Sequence, residues 1–329
     1  MERSLGYENK SRCRHFPLFY VVFIFSMTFM MIHFIQYDPD DKIPQFENFK
    51  KVVIDQETTP KPLPEYDYNS LPTCDLSQTP LHTRINLTDL NRKFRGCAFP
   101  LLTRYFWNAE GLMFNWQSSL YVCDDEQSVR DIEVRDLDED SFAVLPGCKE
   151  ETTLVTLGVK NNTKAEEELI SKIPNLVRIG ADPFLKRSKV YNKFYNFALS
   201  EGAKEITIEV EENGKWVNQT VASKGIKEFL EHDLKLKKID MLWINPTYGN
   251  FPFWAYLQLD GEFRKMGITI CQMIIEMPKH MGDEWVKMLL PMEKGSKYIF
   301  IRPKKLKNGS IRSFFLNAND PQCTRKYLE

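Results

Sequence analysis

The sequence predicts an α/β fold whose central sheet is mostly parallel and closes with an antiparallel pair of strands. From residue 152 onward, short apolar runs alternate with helical stretches, which is the pattern of βαβ units. Gly158 follows the first run and Asp182 the second, so a tight turn and an acidic residue come after neighbouring strands. The last two runs flank Asn308-Gly309, a hairpin signal. These observations predict an α/β domain over residues 151–329.

The elements of this domain follow from the hydrophobic pattern. The first helix is expected to be capped by Asn162 or Thr163, with Glu166 completing the cap, and to end near Pro174. A second hairpin is predicted where two alternating runs flank Asn213-Gly214. The predicted strands cover 153–157, 176–180, 194–199, 206–210, 216–221, 238–244, 268–275, 298–301 and 311–316. The predicted helices cover 163–174, 186–193, 224–232, 251–259 and 281–290.

Residues 1–72 have the pattern of a membrane anchor followed by a linker. Positions 16–35 contain no charged side chain, which is enough to cross a bilayer core of about 30 Å. Basic residues precede this run and acidic residues follow it, so residues 1–15 are expected in the cytosol. We predict a single-pass type II membrane protein, anchored by residues 16–37, with a stem over 38–72 and the remainder in the lumen of the endoplasmic reticulum or Golgi. A cleaved signal peptide is the alternative, but the apolar run exceeds a typical signal-peptide core and no small-x-small cleavage site follows it.

Residues 73–150 contain four cysteines and many aromatic residues, and we expect them to form a disulfide-linked cap on the α/β domain. A short helix is expected to begin at Pro100. Six cysteines follow the anchor, and an oxidising lumen permits up to three bridges, with fifteen connectivities. We expect bridges within the cap and a buried thiol at Cys271, which lies in an apolar strand. Glycosylation sequons begin at Asn86, Asn161, Asn218 and Asn308.

Several residues follow the ends of predicted strands, where open α/β sheets bind their ligands. Asp182 lies 24 positions after Gly158 (182 − 158), close to the roughly 20 found where an acidic residue holds ribose hydroxyls. Each residue also has an ordinary structural interpretation, such as a turn, a cap or a solvated carboxylate. Their arrival at one sheet edge favours a binding site there. The candidates selected in this way are Gly158, Lys160, Asp182, Asn245 and Glu276.

Ordered blocks between Leu154 and Leu328 resemble the FkbM-type S-adenosylmethionine-dependent methyltransferases, in particular a membrane-anchored animal branch of the secretory pathway. The blocks are TLG (156–158), KAEEEL (164–169), GADP (180–183), NGKWVNQTV (213–221), IDMLWI (239–244), GITICQ (267–272) and FFLNANDPQC (314–323). The resemblance implies a doubly wound sheet of seven strands, with the last two antiparallel and helices on both faces. It also implies methyl transfer to an acceptor hydroxyl, on a glycan or another secreted molecule.

The resemblance also implies roles for individual residues. S-adenosylmethionine would occupy the crevice beside Gly158 and Asp182, with the first strand end along its methionine moiety and Asp182 at its ribose hydroxyls. The segment that starts at Asn245 would face the methyl group and the acceptor. Glu276 is our candidate for the base that accepts the acceptor's proton, whereas Asp240, inside a buried strand, is predicted to be structural. The cofactor candidates are Thr156, Leu157, Gly158, Lys160, Asp182 and Pro183.

Two departures from the family pattern favour a second hypothesis, in which the protein keeps the fold and binds ligands without catalysis. Lys160 stands where the family has a second glycine and would bring a cation toward the sulfonium cofactor. Asn245 replaces a carboxylate and cannot accept a proton as a carboxylate does. A glycan on Asn161 would obstruct the same turn. These features argue that the cofactor or the activity has been lost.

A third hypothesis is a type II glycosyltransferase in which Asp136 and Asp138 hold a divalent metal ion with a sugar nucleotide. These residues belong to an acidic run that is also typical of a solvated surface, and on that interpretation the chain has no metal site. The net charge of −1 gives no reason to expect a nucleic-acid partner. The sequence also lacks the Gly-x-Ser-x-Gly and His-Glu-x-x-His motifs of hydrolases.

Overall fold

A computed structural model of the chain describes residues 63–75, 85–105, 108–124, 127–159, 162–202, 204–212, 215–245, 256, 261–283, 285–286, 289 and 297–328. The predicted cytosolic tail, anchor and most of the stem therefore lie outside the described residues, as do Lys160 and Asn161. Within the described ranges, no helix is both long and apolar enough to span a membrane.

The described chain contains twelve strands and seven α-helices. The strands are β1 (Val134–Asp136), β2 (Phe142–Val144), β3 (Thr152–Leu157), β4 (Leu176–Ala181), β5 (Lys193–Tyr195), β6 (Ala198–Ser200), β7 (Glu205–Glu212), β8 (Lys215–Gly225), β9 (Lys238–Ile244), β10 (Thr269–Met277), β11 (Tyr298–Lys305) and β12 (Ile311–Asn317). The helices are α1 (Leu87–Arg104), α2 (Ala109–Asp124), α3 (Gln127–Arg130), α4 (Lys164–Lys172), α5 (Ile226–Glu228), α6 (Glu262–Lys265) and α7 (Pro321–Tyr327).

Seven strands form the central sheet in the order β11-β12-β10-β9-β3-β4-β5. All neighbours from β10 to β5 are parallel, and β12 is antiparallel to both β10 and β11. The mostly parallel sheet of seven strands and the antiparallel pair that closes it are thus confirmed. The order of strands reverses between β3 and β9, and ligands of open α/β sheets bind at such a reversal. All six residues of β3 are buried, as its run of Thr, Leu and Val predicts for a central strand.

The region between β4 and β9 differs most from the sequence prediction. The predicted helix over 186–193 is wrong. Asn192 exchanges hydrogen bonds with the backbone of Arg178 in β4, so the end of this segment lies alongside the sheet and leads into β5. The predicted strand over 194–199 is two strands, and β6 joins a separate sheet of order β6-β8-β7. The β7–β8 hairpin is confirmed. The predicted helix over 251–259 and the Asn213-Gly214 turn lie outside the described residues, apart from residue 256.

The helix predicted to begin at Pro100 instead begins at Leu87. Asn86 caps it, with its side-chain oxygen accepting a hydrogen bond from the Asp89 N–H. Pro100 lies inside α1 and removes one backbone hydrogen bond. Every fourth residue of the helix is buried, which explains why the helix continues through the proline. These buried residues are Leu90, Phe94, Ala98 and Leu102.

Helices α1 and α2 share the hydrophobic core of the central sheet. The ring of Phe94 on α1 meets Phe300 of β11 edge-on at 5.0 Å. Trp116 on α2 stacks on the same ring at 6.0 Å and meets Trp285 at 5.4 Å. Both tryptophans are fully buried. Phe94 and Trp116 therefore pack over the β11 side of the sheet.

Three disulfides connect Cys74 to Cys148, Cys97 to Cys123 and Cys271 to Cys323. The expected bridges within 73–150 are confirmed, and Cys97–Cys123 joins α1 to α2. The expected free thiol at Cys271 is wrong, because α7 lies against β10 and brings Cys323 to a Cα–Cα distance of 5.0 Å. The even number of cysteines after the predicted anchor could have indicated this bridge, since pairing the four cysteines of 73–150 leaves only Cys271 and Cys323.

Asp240 is structural, as predicted, and ties α7 to the amino edge of the sheet. One carboxylate oxygen accepts bonds from Lys326 Nζ at 2.9 Å and the Tyr327 hydroxyl at 3.0 Å, and the other accepts the Thr153 N–H at 3.0 Å. The Lys326 side chain is only 1% exposed. Burial, together with the neighbouring carboxylate of Asp240, raises the pKa of Tyr327 well above its usual range. The buried charges are thus paired, and each carboxylate oxygen is hydrogen-bonded.

We expect that replacing Cys271 and Cys323 together by serine will lower stability by about 4 kcal/mol, because the bridge closes a 52-residue separation. For a domain of this size the melting temperature should fall by roughly 10 °C, measured by calorimetry. A peptide map without reduction should recover the two cysteines as one cross-linked pair. Recovery of free Cys271 would contradict the assignment.

Candidate functional site

The structure brings the ends of four parallel strands and the start of β12 together at one edge. Gly158 follows β3, Asp182 follows β4, Asn245 follows β9 and Glu276 lies near the end of β10. Arg312, the second residue of β12, lies directly opposite Glu276 in the register. Four of the five residues predicted for this edge are therefore located there, and the fifth, Lys160, lies outside the described residues.

The turn after β3 packs closely against the end of β9. Gly158 has a φ of +80°, and a Cβ at this position would lie 2.1 Å from the Asn245 carbonyl oxygen. The Gly158 N–H donates to the Ala181 carbonyl at 2.9 Å, and the Asn245 N–H donates to the Leu157 carbonyl at 2.9 Å. Only glycine fits here, because the conformation and the close backbone approach both exclude a side chain.

The Asn245 side chain connects this turn to a buried arginine. Its Nδ2 donates to the Gly158 carbonyl at 3.1 Å, and its Oδ1 accepts a bond from Arg312 Nη2 at 3.1 Å. The two partners assign the orientation of the amide. A carboxylate could accept from Arg312 but has no donor for the Gly158 carbonyl. An amide is therefore the side chain that satisfies both neighbours.

Arg312 also holds Glu276 and the chain before β2. Its Nη2 lies 2.7 Å from Glu276 Oε2, and its Nη1 donates to the Asp140 carbonyl at 2.9 Å. Arg312 is 4% exposed, and among the described residues its Nε has no partner. The Glu276 carboxylate is therefore held through Oε2 by the guanidinium. We call the set Gly158, Asn245, Glu276 and Arg312 the edge network.

Arg312 was not among the residues predicted for this edge. The surrounding run in β12 is buried at all seven positions, so the arginine is an isolated charge in an apolar strand. That isolation was a usable signal. Its partner was not predictable without the antiparallel register of β10 and β12, which places the two charges side by side.

Asp182 lies at the end of β4 and is 2% exposed. Its Oδ1 accepts the N–H groups of Phe184 at 2.8 Å and Leu185 at 2.9 Å, so the carboxylate caps a turn through Pro183. Burial raises the pKa of Asp182, and the two backbone bonds oppose that shift. No hydrogen bond from a described residue reaches Oδ2. One oxygen of the carboxylate therefore fixes the turn and the other is available to a ligand.

A buried polar cluster adjoins β3 and β4 at the same edge. The Tyr191 ring packs on the backbone of Gly180, and its hydroxyl donates to Glu166 Oε1 at 2.6 Å. Burial raises the pKa of Tyr191, and the Glu166 charge raises it further. Burial also raises the pKa of Glu166. The Thr156 hydroxyl lies near enough to lower the pKa of Tyr191, yet it is buried without a well-formed hydrogen bond among the described residues.

Sequence reasoning treated Glu166 as a helix cap and placed Tyr191 in a helix that does not form. No local pattern joins them, because the two residues are 25 positions apart and their contact depends on the tertiary fold. The structure thus adds two buried polar groups to the predicted cofactor residues.

The acidic run lies at the tip of the β1–β2 hairpin. Asp138 accepts the Asp140 N–H at 2.8 Å, and the Asp140 carboxylate pairs with Lys304 at 3.0 Å. After the larger effect of burial, the charge of Asp138 contributes to the raised pKa of Glu166. Across the described ranges, no group of three or more His, Cys, Asp or Glu side chains is arranged to hold a metal ion.

The chain was compared with known protein families and with curated proteins. No family model matches it, and no curated protein matches it.

Replacing Arg312 by methionine should cost about 3–5 kcal/mol of stability, because it leaves the Glu276 carboxylate buried without its partner. Replacing Lys304 on the neighbouring strand by methionine is the matched control. It removes a half-exposed pair with Asp140 and should cost less than about 1 kcal/mol. Urea denaturation measures both. Equal costs for the two variants would show that Arg312 has no special place at the edge.

Proposed function

We propose that the chain is a membrane-anchored protein of the secretory pathway whose luminal domain is an FkbM-type methyltransferase. The domain would bind S-adenosylmethionine beside β3 and β4 and methylate a hydroxyl of a glycan or another secreted acceptor. One observation carries the proposal: Gly158 and the buried Asp182 follow adjacent strands beside the point where the strand order reverses. Ligands of such sheets bind there, and an acidic residue after the second strand suits ribose hydroxyls.

The described residues fit the nucleoside part of this cofactor. Asp182 Oδ2, which accepts no hydrogen bond from a described residue, can accept one from a ribose hydroxyl while Oδ1 keeps the turn in place. The buried Thr156 hydroxyl, which lacks a well-formed hydrogen bond among the described residues, is a donor and acceptor for a ligand along β3. Gly158 allows close approach to the backbone. Lys160 lies outside the described residues, so its effect on the cofactor stays a prediction.

In the proposed reaction the protein supplies alignment. The bound cofactor would supply an activated methyl group on a sulfonium, and transfer requires the acceptor oxygen in line with it. Asp182 would orient the nucleoside, and the turn at Gly158, held by Asn245, would fix the wall beside it. Glu276 is a poor candidate for the base because Arg312 engages it.

Three disulfides and the predicted anchor support the luminal location, because disulfides persist in oxidising compartments. Exposed sequon asparagines at Asn86, Asn218 and Asn308 are accessible to glycosylation. Protease protection of the chain in sealed microsomes would support this orientation, and digestion of the bulk of the chain without detergent would exclude it.

Calorimetric titration of the full chain with S-adenosylmethionine should show saturable binding. Asp182→Asn should weaken it roughly 10-fold or more, because the carboxylate bond to a ribose hydroxyl is lost. Asp140→Asn is the matched control, since Asp140 is an acidic residue whose side chain pairs with Lys304, and it should bind normally. Absence of heat at millimolar ligand, or equal binding by Asp182→Asn, would exclude the proposed site.

The edge network favours a second candidate function, in which the domain binds ligands without transferring methyl groups. Asn245 and Glu276, the residues placed nearest the chemistry by the resemblance, are both engaged in hydrogen bonds to Arg312. Labelled S-adenosylmethionine offered with secreted glycoproteins distinguishes the two. Transfer that disappears in Asp182→Asn supports the enzyme, whereas binding without transfer supports the second candidate.

A further inference from the structure

A cleft of about 610 Å³ lies between α2, the turn after β10 and the β11–β12 hairpin turn. It opens at the carboxyl edge, because Met277 pairs with Ile311 and the cleft residues Lys279 and Gly309 lie just beyond that pair. Three strand spacings separate β12 from β3, about 14 Å. The cleft is therefore distinct from the crevice beside β3 and β4 but lies at the same end of the sheet.

The cleft walls are held in place by hydrogen bonds between α2 and β11. The Lys305 N–H donates to the Gln117 side chain at 3.3 Å, and the Arg302 N–H donates to the Asp124 carboxylate at 2.9 Å. Gly282 forms part of the floor, where a Cβ would lie 3.0 Å from Met113 Cγ. The cleft is thus already formed in the protein and has the size of a small-ligand site.

Charges of both signs line the cleft. Lys279, Lys305, Glu110 and Asp283 are exposed, and none forms an ion pair with a described residue. The cleft therefore offers ammonium donors and carboxylate acceptors together. The two ammonium groups and the two carboxylates cancel in net charge, so the cleft favours neither an anionic nor a cationic ligand. An apolar ligand would remove all four charges from water without replacing their hydrogen bonds.

An exposed aromatic ring completes the cleft. Phe114 is 72% exposed, which is unusual for a phenylalanine in a folded domain, and the Lys305 ammonium lies 4.5 Å from its ring centre. A flat exposed ring is a stacking platform for the C–H face of a pyranose. Sugar hydroxyls both donate and accept hydrogen bonds, so they satisfy ammonium and carboxylate groups alike.

We propose that this cleft binds a neutral, hydroxyl-rich saccharide of a few rings, stacked on Phe114 and hydrogen-bonded by Glu110, Asp283, Lys279 and Lys305. The site does not require methyl transfer. If the proposed function holds, its position at the same edge makes it a subsite for the distal part of a glycan acceptor, and that extension rests on the proposed function.

Saturation-transfer NMR on the full chain tests the site. The protein is freed of its own N-glycans and kept in a detergent without a sugar headgroup. The probes are cellotetraose, chitotetraose, mannotetraose and lacto-N-tetraose, with a heparin tetrasaccharide for comparison. At least one neutral probe should show saturated ring protons. Phe114→Ala and Glu110→Gln should each weaken its binding at least ten-fold.

Tyr121→Ala is the matched control, because Tyr121 is an exposed aromatic residue on the same helix outside the cleft lining. It should bind the probe as the unchanged protein does. The inference is overturned if no neutral probe binds, if the heparin fragment binds more tightly than every neutral probe, or if Phe114→Ala and Tyr121→Ala have equal effects. Titration of the same sample with S-adenosylmethionine separates the two proposals, since saccharide binding without cofactor binding leaves this one standing.

Discussion

The guanidinium of Arg312 is the group on which the carboxyl edge of the sheet depends. A buried cation is costly unless it is paired and hydrogen-bonded, and here Glu276, Asn245 and the Asp140 carbonyl supply its partners. Through these bonds it joins β12 to the ends of β10 and β9, and through Asn245 to the turn after β3. One side chain therefore connects the ends of four strands at the edge where ligands of such sheets bind.

The edge network divides the carboxyl edge of the sheet into three parts, which differ in the groups they offer to a ligand. The middle of the edge, at Asn245 and Glu276, is committed to holding the strands together. The side beside β3 and β4 retains the available Asp182 oxygen and the Thr156 hydroxyl. The opposite side, beyond β12, contains the cleft proposed to bind a saccharide, whose lining side chains carry charges of both signs.

Much of the fold was predictable from the sequence because the central strands are continuous apolar runs. The strand at Lys238–Ile244 was predicted with its exact bounds, and β3 and β10 within two residues at each end. The positions of Gly158, Asp182, Asn245 and Glu276 at one edge followed from the rule that ligands lie at strand ends.

What could not be predicted depends on contacts between distant residues. Arg312 looks like a surface cation until the register of β10 and β12 places it opposite Glu276. Cys271 looks like a buried thiol until α7 delivers Cys323. Tyr191 sits in a segment of helical composition, but its hydroxyl binds Glu166, 25 residues earlier in the chain. Local propensity carries none of this information.

The most direct test of the edge network is a double-mutant cycle between Asn245→Ala and Glu276→Gln, because Arg312 Nη2 forms a hydrogen bond to each of the two side chains. If Arg312 holds both side chains, removing one of them weakens the hydrogen bond between Arg312 and the other. The double variant should then lose less free energy of unfolding than the two single variants lose in sum. The expected coupling is about 1–3 kcal/mol in free energy of unfolding. Additivity within about 0.5 kcal/mol would contradict the account, because the strand ends would then be held independently.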